Sequence, residues 1–167
     1  LSEFHGRYPE RFFDVGIEEE HAVAFAGGLG VAGMRPVFAV YSTFLQRTYD
    51  QVFHDVALQR ARTVLAIDRA GLVGGDGVTH QGIYDVSMLS SIPGISIYSP
   101  DSFAELRESL DKVISLDALT AVRYPRGGEP EYDRSVYHPI CGDAAVAADY
   151  GVAPRLTVIT YGRITAE

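Results

Sequence analysis

Short unbroken apolar runs alternate along this chain with longer stretches of helical spacing, and that alternation predicts its elements. Residues 37–41 (V-F-A-V-Y) and 63–67 (T-V-L-A-I) are the runs of strands buried on both faces. Residues 12–16, 95–98 and 121–124 read as three further short strands. Between them, 19–32 carries Ala22, Val23, Ala26 and Leu29 at helical spacing; Gly33 ends it and Pro36 follows. Residues 43–60 place Phe44, Leu45, Thr48, Val52, Val56 and Leu58 on one side, which predicts a long helix. A short helix is expected at 85–91, and Ser99-Pro100-Asp101 introduces another over 102–116. Residues 69–82 form a glycine-rich loop, and 125–154, without periodicity, reads as a linker over the surface. Strands alternating with helices predict an α/β fold: a doubly wound, mostly parallel sheet with helices on both faces. Such sheets bind ligands beyond the carboxyl ends of their strands.

Composition narrows the function. A formal charge of −8 argues against a nucleic-acid surface, which needs a basic face. No run reaches the ~18 apolar residues of a membrane span. A single cysteine, Cys141, excludes an internal disulfide framework, and with no secretory signal a cytoplasmic location is expected. Thirteen of the fourteen basic residues are arginine, with Lys112 the exception, and arginine suits fixed, bidentate recognition of phosphate. The chain opens at Leu1 and closes just after a strand-like run at 156–161, so it reads as a piece of a larger protein.

The residues with chemistry cluster at predicted strand ends. The run D-V-G-I-E-E-E-H (14–21) puts Glu19 where strand gives way to helix. Consecutive glutamates there favour the helix dipole by ~0.3–1 kcal/mol each, but one of them can also face a cleft. The second strand leads to Tyr41 and Phe44, the third to Asp68 and Arg69, the fifth to Arg123 and Arg126. Arg69 and Arg126 suit a phosphorylated ligand, and in the glycine-rich loop Asp76 and His80 can bond a substrate or move protons. Three other patterns carry less. Gly28, Gly30 and Gly33 spell G-x-G-x-x-G, but they end a helix instead of following a strand, so they read as close helix–sheet packing and a C-cap. His54-Asp55 reads as a core-edge hydrogen bond. No H-E-x-x-H or Cys–His cluster marks a metal site, and no G-x-S-x-G elbow occurs.

Four stretches together resemble the pyrimidine-binding, central domain of the 1-deoxy-D-xylulose-5-phosphate synthases, thiamin-diphosphate enzymes of the transketolase superfamily. They are D-V-G-I-x-E-x-H-A-V (14–23), Y-S-T-F-L-Q-R-x-Y-D-Q-V-x-H-D-V (41–56), D-R-A-G-L-V-G-x-D-G-x-T-H-Q-G (68–82) and A-V-R-Y-P-R-G (121–127). The resemblance implies a pyrimidine-binding domain over 1–130, a linker over 131–155, and at 156–167 the start of a truncated C-terminal domain. It implies that Glu19 bonds a ring nitrogen of the aminopyrimidine and so promotes deprotonation of the thiazolium carbon. Phe44 matches the aromatic stacked on that ring, and Ile17 is expected beside it. Tyr41, Arg69 and Arg126 match groups that bind the phosphate of glyceraldehyde 3-phosphate. Asp76 and His80 match polar residues facing the reacting carbons, and Arg47 an active-site arginine.

The implied reaction joins pyruvate to glyceraldehyde 3-phosphate, with loss of carbon dioxide, in a homodimeric enzyme of isoprenoid and thiamin biosynthesis. Glu18 and Glu20 depart from the family pattern, as does the absence of D-G-P before the fifth strand. The implied Mg2+–diphosphate site also needs an asparagine, and this chain has none. Mg2+ is therefore expected on an N-terminal domain outside this chain, and the fragment alone is expected to be inactive. Two alternatives are a transketolase or pyruvate dehydrogenase beta-subunit domain, and a non-catalytic docking module.

Overall fold

A computed structural model describes residues 1–129 together with 138–141, 144–146 and 158–162. Four strands, β1 (Val37–Tyr41), β2 (Thr63–Asp68), β3 (Ser96–Tyr98) and β4 (Leu119–Arg123), form one sheet in the order β1-β2-β4-β3. Every pairing is parallel, with Val40 opposite Ile67 and Ile67 opposite Arg123. The helices are α1 (Ser2–Arg7), α2 (Glu19–Val31), α3 (Ser42–Leu45), α4 (Tyr49–Gln51), α5 (Asp85–Leu89) and α6 (Phe103–Ser115).

Alternation along the strands divides the core in two. Leu65, Ile67 and Ala121 face one cluster with Val23, Leu45, Val52, Val56 and Leu89, while Val64 and Val122 face another with Val113, Leu106 and Leu110. The doubly wound α/β expectation therefore holds, because strands apolar at every position need cover on both faces. Ser102 caps α6, its hydroxyl accepting from the Glu105 N–H at 3.2 Å.

Local details depart from the pattern. Residues 12–16 are not a strand. Asp14 Oδ1 accepts from the Gly16 N–H at 3.0 Å, Gly16 takes φ +72°, and Phe13 packs edge-on against Phe25 of α2, 5.2 Å between ring centres. That turn diverts the segment onto the helix before it can join the sheet. The helix expected over 43–60 is broken into α3, a 3-10 turn (Gln46–Thr48), α4 and a π-helical turn (Val52–Ala57). Thr48 is wholly buried and its hydroxyl donates to the Leu45 carbonyl at 2.8 Å, favouring the tighter turn at that point. Strand-like 156–161 shows no strand at 158–161, and the rest of that run lies outside the described residues, as does most of the expected 131–155 linker. Within that linker, His138–Cys141 (β5) and Ala144–Val146 (β6) pair antiparallel.

Candidate active site

Burial separates Glu19 from its neighbours. It opens α2 and is 9% exposed, whereas Glu18 and Glu20 are exposed. The helix start expected at Glu19 therefore holds the carboxylate, with a turn and not a strand leading into it, and the helix dipole favours its charge there. Arg47, from the 3-10 turn, donates from Nη1 to Glu19 Oε2 at 2.8 Å. No hydrogen bond to Oε1 occurs among the described residues. The same guanidinium lies 5.4 Å from the ring centre of Phe44. Phe44 in turn stacks on Tyr41, with centres 5.6 Å apart and planes 18° apart, and meets the edge of His80 at 5.3 Å. His80 Nδ1 and Thr79 Oγ1 are 2.9 Å apart, and Thr43 Oγ1 donates to the Thr79 carbonyl at 3.0 Å.

Beside this wall two guanidiniums converge on one carboxylate. Arg69 bonds Asp76 through Nε to Oδ2, and Arg126 through Nη1 to Oδ1. Arg69 also lies flat over Tyr41, its Cζ 3.6 Å from the ring centre, and its φ of +57° is unusual for a non-glycine residue. Burial alone pushes the Asp76 carboxyl up, but the Arg69 bond and the charges of Arg126 and Arg69 outweigh it, so the net shift is downward. Burial opposes the Arg69 charge, and the bonds to Asp76 and Tyr41 more than restore it. A guanidinium has five N–H donors, and Asp76 takes one from each arginine.

The loop carrying Asp76 and His80 is closed at its neck. Gly71 and Gly82 exchange backbone bonds of 2.7 and 2.8 Å, while the Gln81 amide bridges Val73 and Gly77 across the interior. A Cβ at Gly82 would lie 2.1 Å from the Arg69 carbonyl oxygen, so only glycine lets the loop pass there. Arg126 also borders a cavity of about 340 Å3 shared with Asp68, Tyr124, Phe103 and Leu106. Burial and the nearby Asp68 charge push the Tyr124 hydroxyl up to about 12, so it remains a donor at neutral pH.

Eight expected site residues thus fall into one connected network: Glu19, Arg47, Phe44, Tyr41, His80, Arg69, Asp76 and Arg126. Ile17 is not part of it and is 82% exposed. Asp76 lies between the arginines, so its carboxylate is engaged by them in this state. His54 does not bond Asp55; its Nδ1 meets Asp50 Oδ1 at 2.8 Å, one turn back on the surface. Sequence reading missed Gln81 as the loop's internal clamp, and it missed the buried pair Asp85–Arg123. The arginine in A-V-R-Y-P was a visible signal, since a charge at the end of a doubly buried strand needs a partner. Among the described residues no group of three or more His, Cys, Asp or Glu is placed to hold a metal. No helix among them is long and apolar enough to cross a membrane.

The parallel sheet and the acidic, aromatic and basic wall at its carboxyl edge define a class. Residues 1–130 match the model of the family described as transketolase, pyrimidine binding domain, and the chain belongs to that family. It is 54% identical over 132 residues to the 1-deoxy-D-xylulose-5-phosphate synthase of Clostridium kluyveri (strain NBRC 12016), covering 79% of this chain and 21% of that protein. Against the synthase of Ralstonia pickettii (strain 12J) it is 46% identical over 170 residues, covering 99% of this chain and 27% of the relative. The chain therefore spans about a fifth to a quarter of the length of these relatives. A solved structure described as a split-gene transketolase, inactive beta4 tetramer, superposes with a TM-score of 0.69 at 26% identity, covering 77% of this chain and 41% of that one. The transketolase of Campylobacter jejuni gives a TM-score of 0.61 at 21% identity over 66% of this chain and 18% of its own, a likeness of fold alone.

Proposed function

We propose that this chain is the pyrimidine-binding part of a thiamin-diphosphate-dependent synthase that joins pyruvate to glyceraldehyde 3-phosphate, releasing carbon dioxide, to give 1-deoxy-D-xylulose 5-phosphate. The observation that carries the proposal is Glu19, a buried carboxylate bonded to Arg47, which itself covers Phe44. These residues fit a protonated heterocycle. Oε1 of Glu19 has acceptor capacity to spare, and Phe44 supplies an aromatic surface beside it. When bound, thiamin diphosphate supplies the nucleophilic carbon and the electron sink that decarboxylation of a 2-keto acid requires.

The chain's own residues do the rest. Glu19 accepts the ring N–H, and Arg47 holds that carboxylate in place. Arg69 and Arg126 grip the phosphate by charge-assisted bonds, and Tyr41 buttresses Arg69. His80, anchored through Thr79 and against Phe44, is the proton-transfer group nearest the ring wall. Mg2+ and the diphosphate belong, in this reading, to an N-terminal domain, and the working enzyme is a homodimer in the cytoplasm. The split-gene transketolase that shares this fold, a longer chain of which this one covers 41%, is described as an inactive beta4 tetramer, which supports the reading that the pyrimidine-binding part lacks turnover alone.

The test is Glu19→Ala in the complete protein. Pyruvate decarboxylation is expected to fall by at least about 100-fold, the scale of general acid–base assistance, with circular dichroism unchanged. Activity at the wild-type level would remove Glu19 from the mechanism. The D-R-A-G-L-V-G run and the arginine of R-Y-P-R-G favour this reading over a transketolase or a pyruvate dehydrogenase beta subunit, and assay with a ketose phosphate donor in place of pyruvate tests the transketolase alternative.

A further inference from the structure

We infer that the buried ion pair Asp85–Arg123 is a positioning device for the site. It sets the spacing between the glycine-rich loop, which carries Asp76 and His80 next to Arg69, and the turn that carries Arg126. Its consequence for ligand binding rests on the phosphate-gripping role proposed above for the arginines; its geometry does not.

Arg123 is the last residue of β4 and Asp85 the first of α5, and their side chains are 12% and 1% exposed. All three guanidinium nitrogens are engaged. Nε donates to Asp85 Oδ2 at 2.9 Å, Nη2 to Asp85 Oδ1 at 3.2 Å, and Nη1 to Ser99 Oγ at 3.2 Å. Asp85 Oδ1 accepts the Val86 N–H as well, at 2.9 Å. One planar group therefore ties together the end of β4, the residue following β3, and the start of α5.

Each anchored point lies a few residues from the site. Asp85 is three positions past Gly82, where the loop closes on Gly71 and where its backbone runs hard against the Arg69 carbonyl. On the other side, Tyr124 follows Arg123 and its carbonyl accepts the Ala70 N–H at 3.0 Å, while Arg126 is two positions further on. A shift of the pair would thus reach Arg69 and Arg126 from opposite sides.

Stability alone does not account for such a pair. Removing two charges from water costs about as much as their attraction returns, and apolar groups of like shape are often as stable. What a forked, bidentate bond supplies is a fixed distance and angle between the segments it joins. The effect of losing it should therefore appear at the loop neck before it appears in the sheet.

The experiment is amide hydrogen exchange on the complete protein carrying Arg123→Met or Asp85→Asn, combined with titration by inorganic phosphate. Exchange at Ala70, Gly71 and Gly82 is expected to quicken at least about tenfold, while Leu65 and Ile67 of β2 stay at wild-type rates, as local opening requires. Phosphate affinity is expected to fall about tenfold, the effect of one weakened charge-assisted bond. Quickening spread equally through β2, or none at the neck, would overturn the inference. If Arg123→Met does not fold, Asp85→Asn decides, because it keeps the side chain's shape while removing its charge and one of the two acceptors that Arg123 uses. If wild-type chain binds no phosphate, the phosphate reading fails while exchange at the neck still decides the positioning role.

Discussion

Among the three glutamates at the start of α2, only Glu19 is buried, and Arg47 is what makes that burial tolerable. An unpaired carboxylate in that position would take up a proton or turn outward. Asp76 presents the complementary case, one carboxylate shared by two arginines. Its carboxyl lies below the ordinary value of 3.8, so its contribution to holding the loop is present at neutral pH and is lost as the pH falls through the depressed folded-state value. Loop protection is therefore expected to decline on acidification below the ordinary value of 3.8, ahead of the sheet, and Asp76→Asn should abolish that step. Hydrogen exchange at Gly71 and Gly82 against pH checks it; a profile unchanged in the variant would remove Asp76 as the latch. In the complete protein, Arg69→Ala or Arg126→Ala should raise KM for the phosphorylated substrate about 10–100-fold and leave that for pyruvate nearly unchanged, as loss of one charged hydrogen bond implies. Steady-state kinetics with each substrate varied decides this.

The helix α2 shows how packing and capping divide one glycine-rich motif. Gly33 N–H donates to the Gly30 carbonyl at 3.1 Å and Met34 N–H to the Leu29 carbonyl at 2.9 Å, with Gly33 at φ +89°: a Schellman C-cap. Gly30 has a different duty. A Cβ there would lie 2.5 Å from the Arg62 carbonyl oxygen, and one at Gly27 would lie 2.9 Å from that of Asp55. The close approach is therefore to the π-helical turn and to the segment entering β2, and not to the strands themselves. Gly28 meets nothing within 4 Å. Gly28→Ala is accordingly expected to stabilise the chain by ~0.5–1 kcal/mol, since it faces open space in a helix interior. Gly30→Ala is expected to destabilise it by about 1–3 kcal/mol through overpacking. Thermal melts of the two variants check both signs. The broken helix that follows was invisible in the hydrophobic spacing, because side-chain period does not report which carbonyl each N–H finds. It matters for the site, since the 3-10 turn is what presents Arg47 to Glu19.

In the whole molecule, the sheet is the common frame. β1, β2 and β4 end side by side, and their trailing residues Phe44, Arg69 and Arg126 meet at one edge. The proposed reading makes a further demand at this level. The chain alone should consume no pyruvate, and adding the diphosphate-binding portion of the same protein, as a separate chain, should produce turnover. Decarboxylation by this chain alone would refute that division of labour.

The parallel frame was legible in the chain because continuous apolar runs such as T-V-L-A-I have no stable place except between two covering layers. The site residues were legible as types and positions, since most of them follow a run of that kind. What needed the folded molecule is how they meet. That Glu19 faces Arg47, that Asp76 bridges to Arg126, and that Asp85 locks onto Arg123 all join residues 28 to 50 positions apart. Local spacing holds no record of such partners, because ion pairs are selected by the proximity that the sheet creates and by the cost of leaving a charge unpaired once water has been excluded.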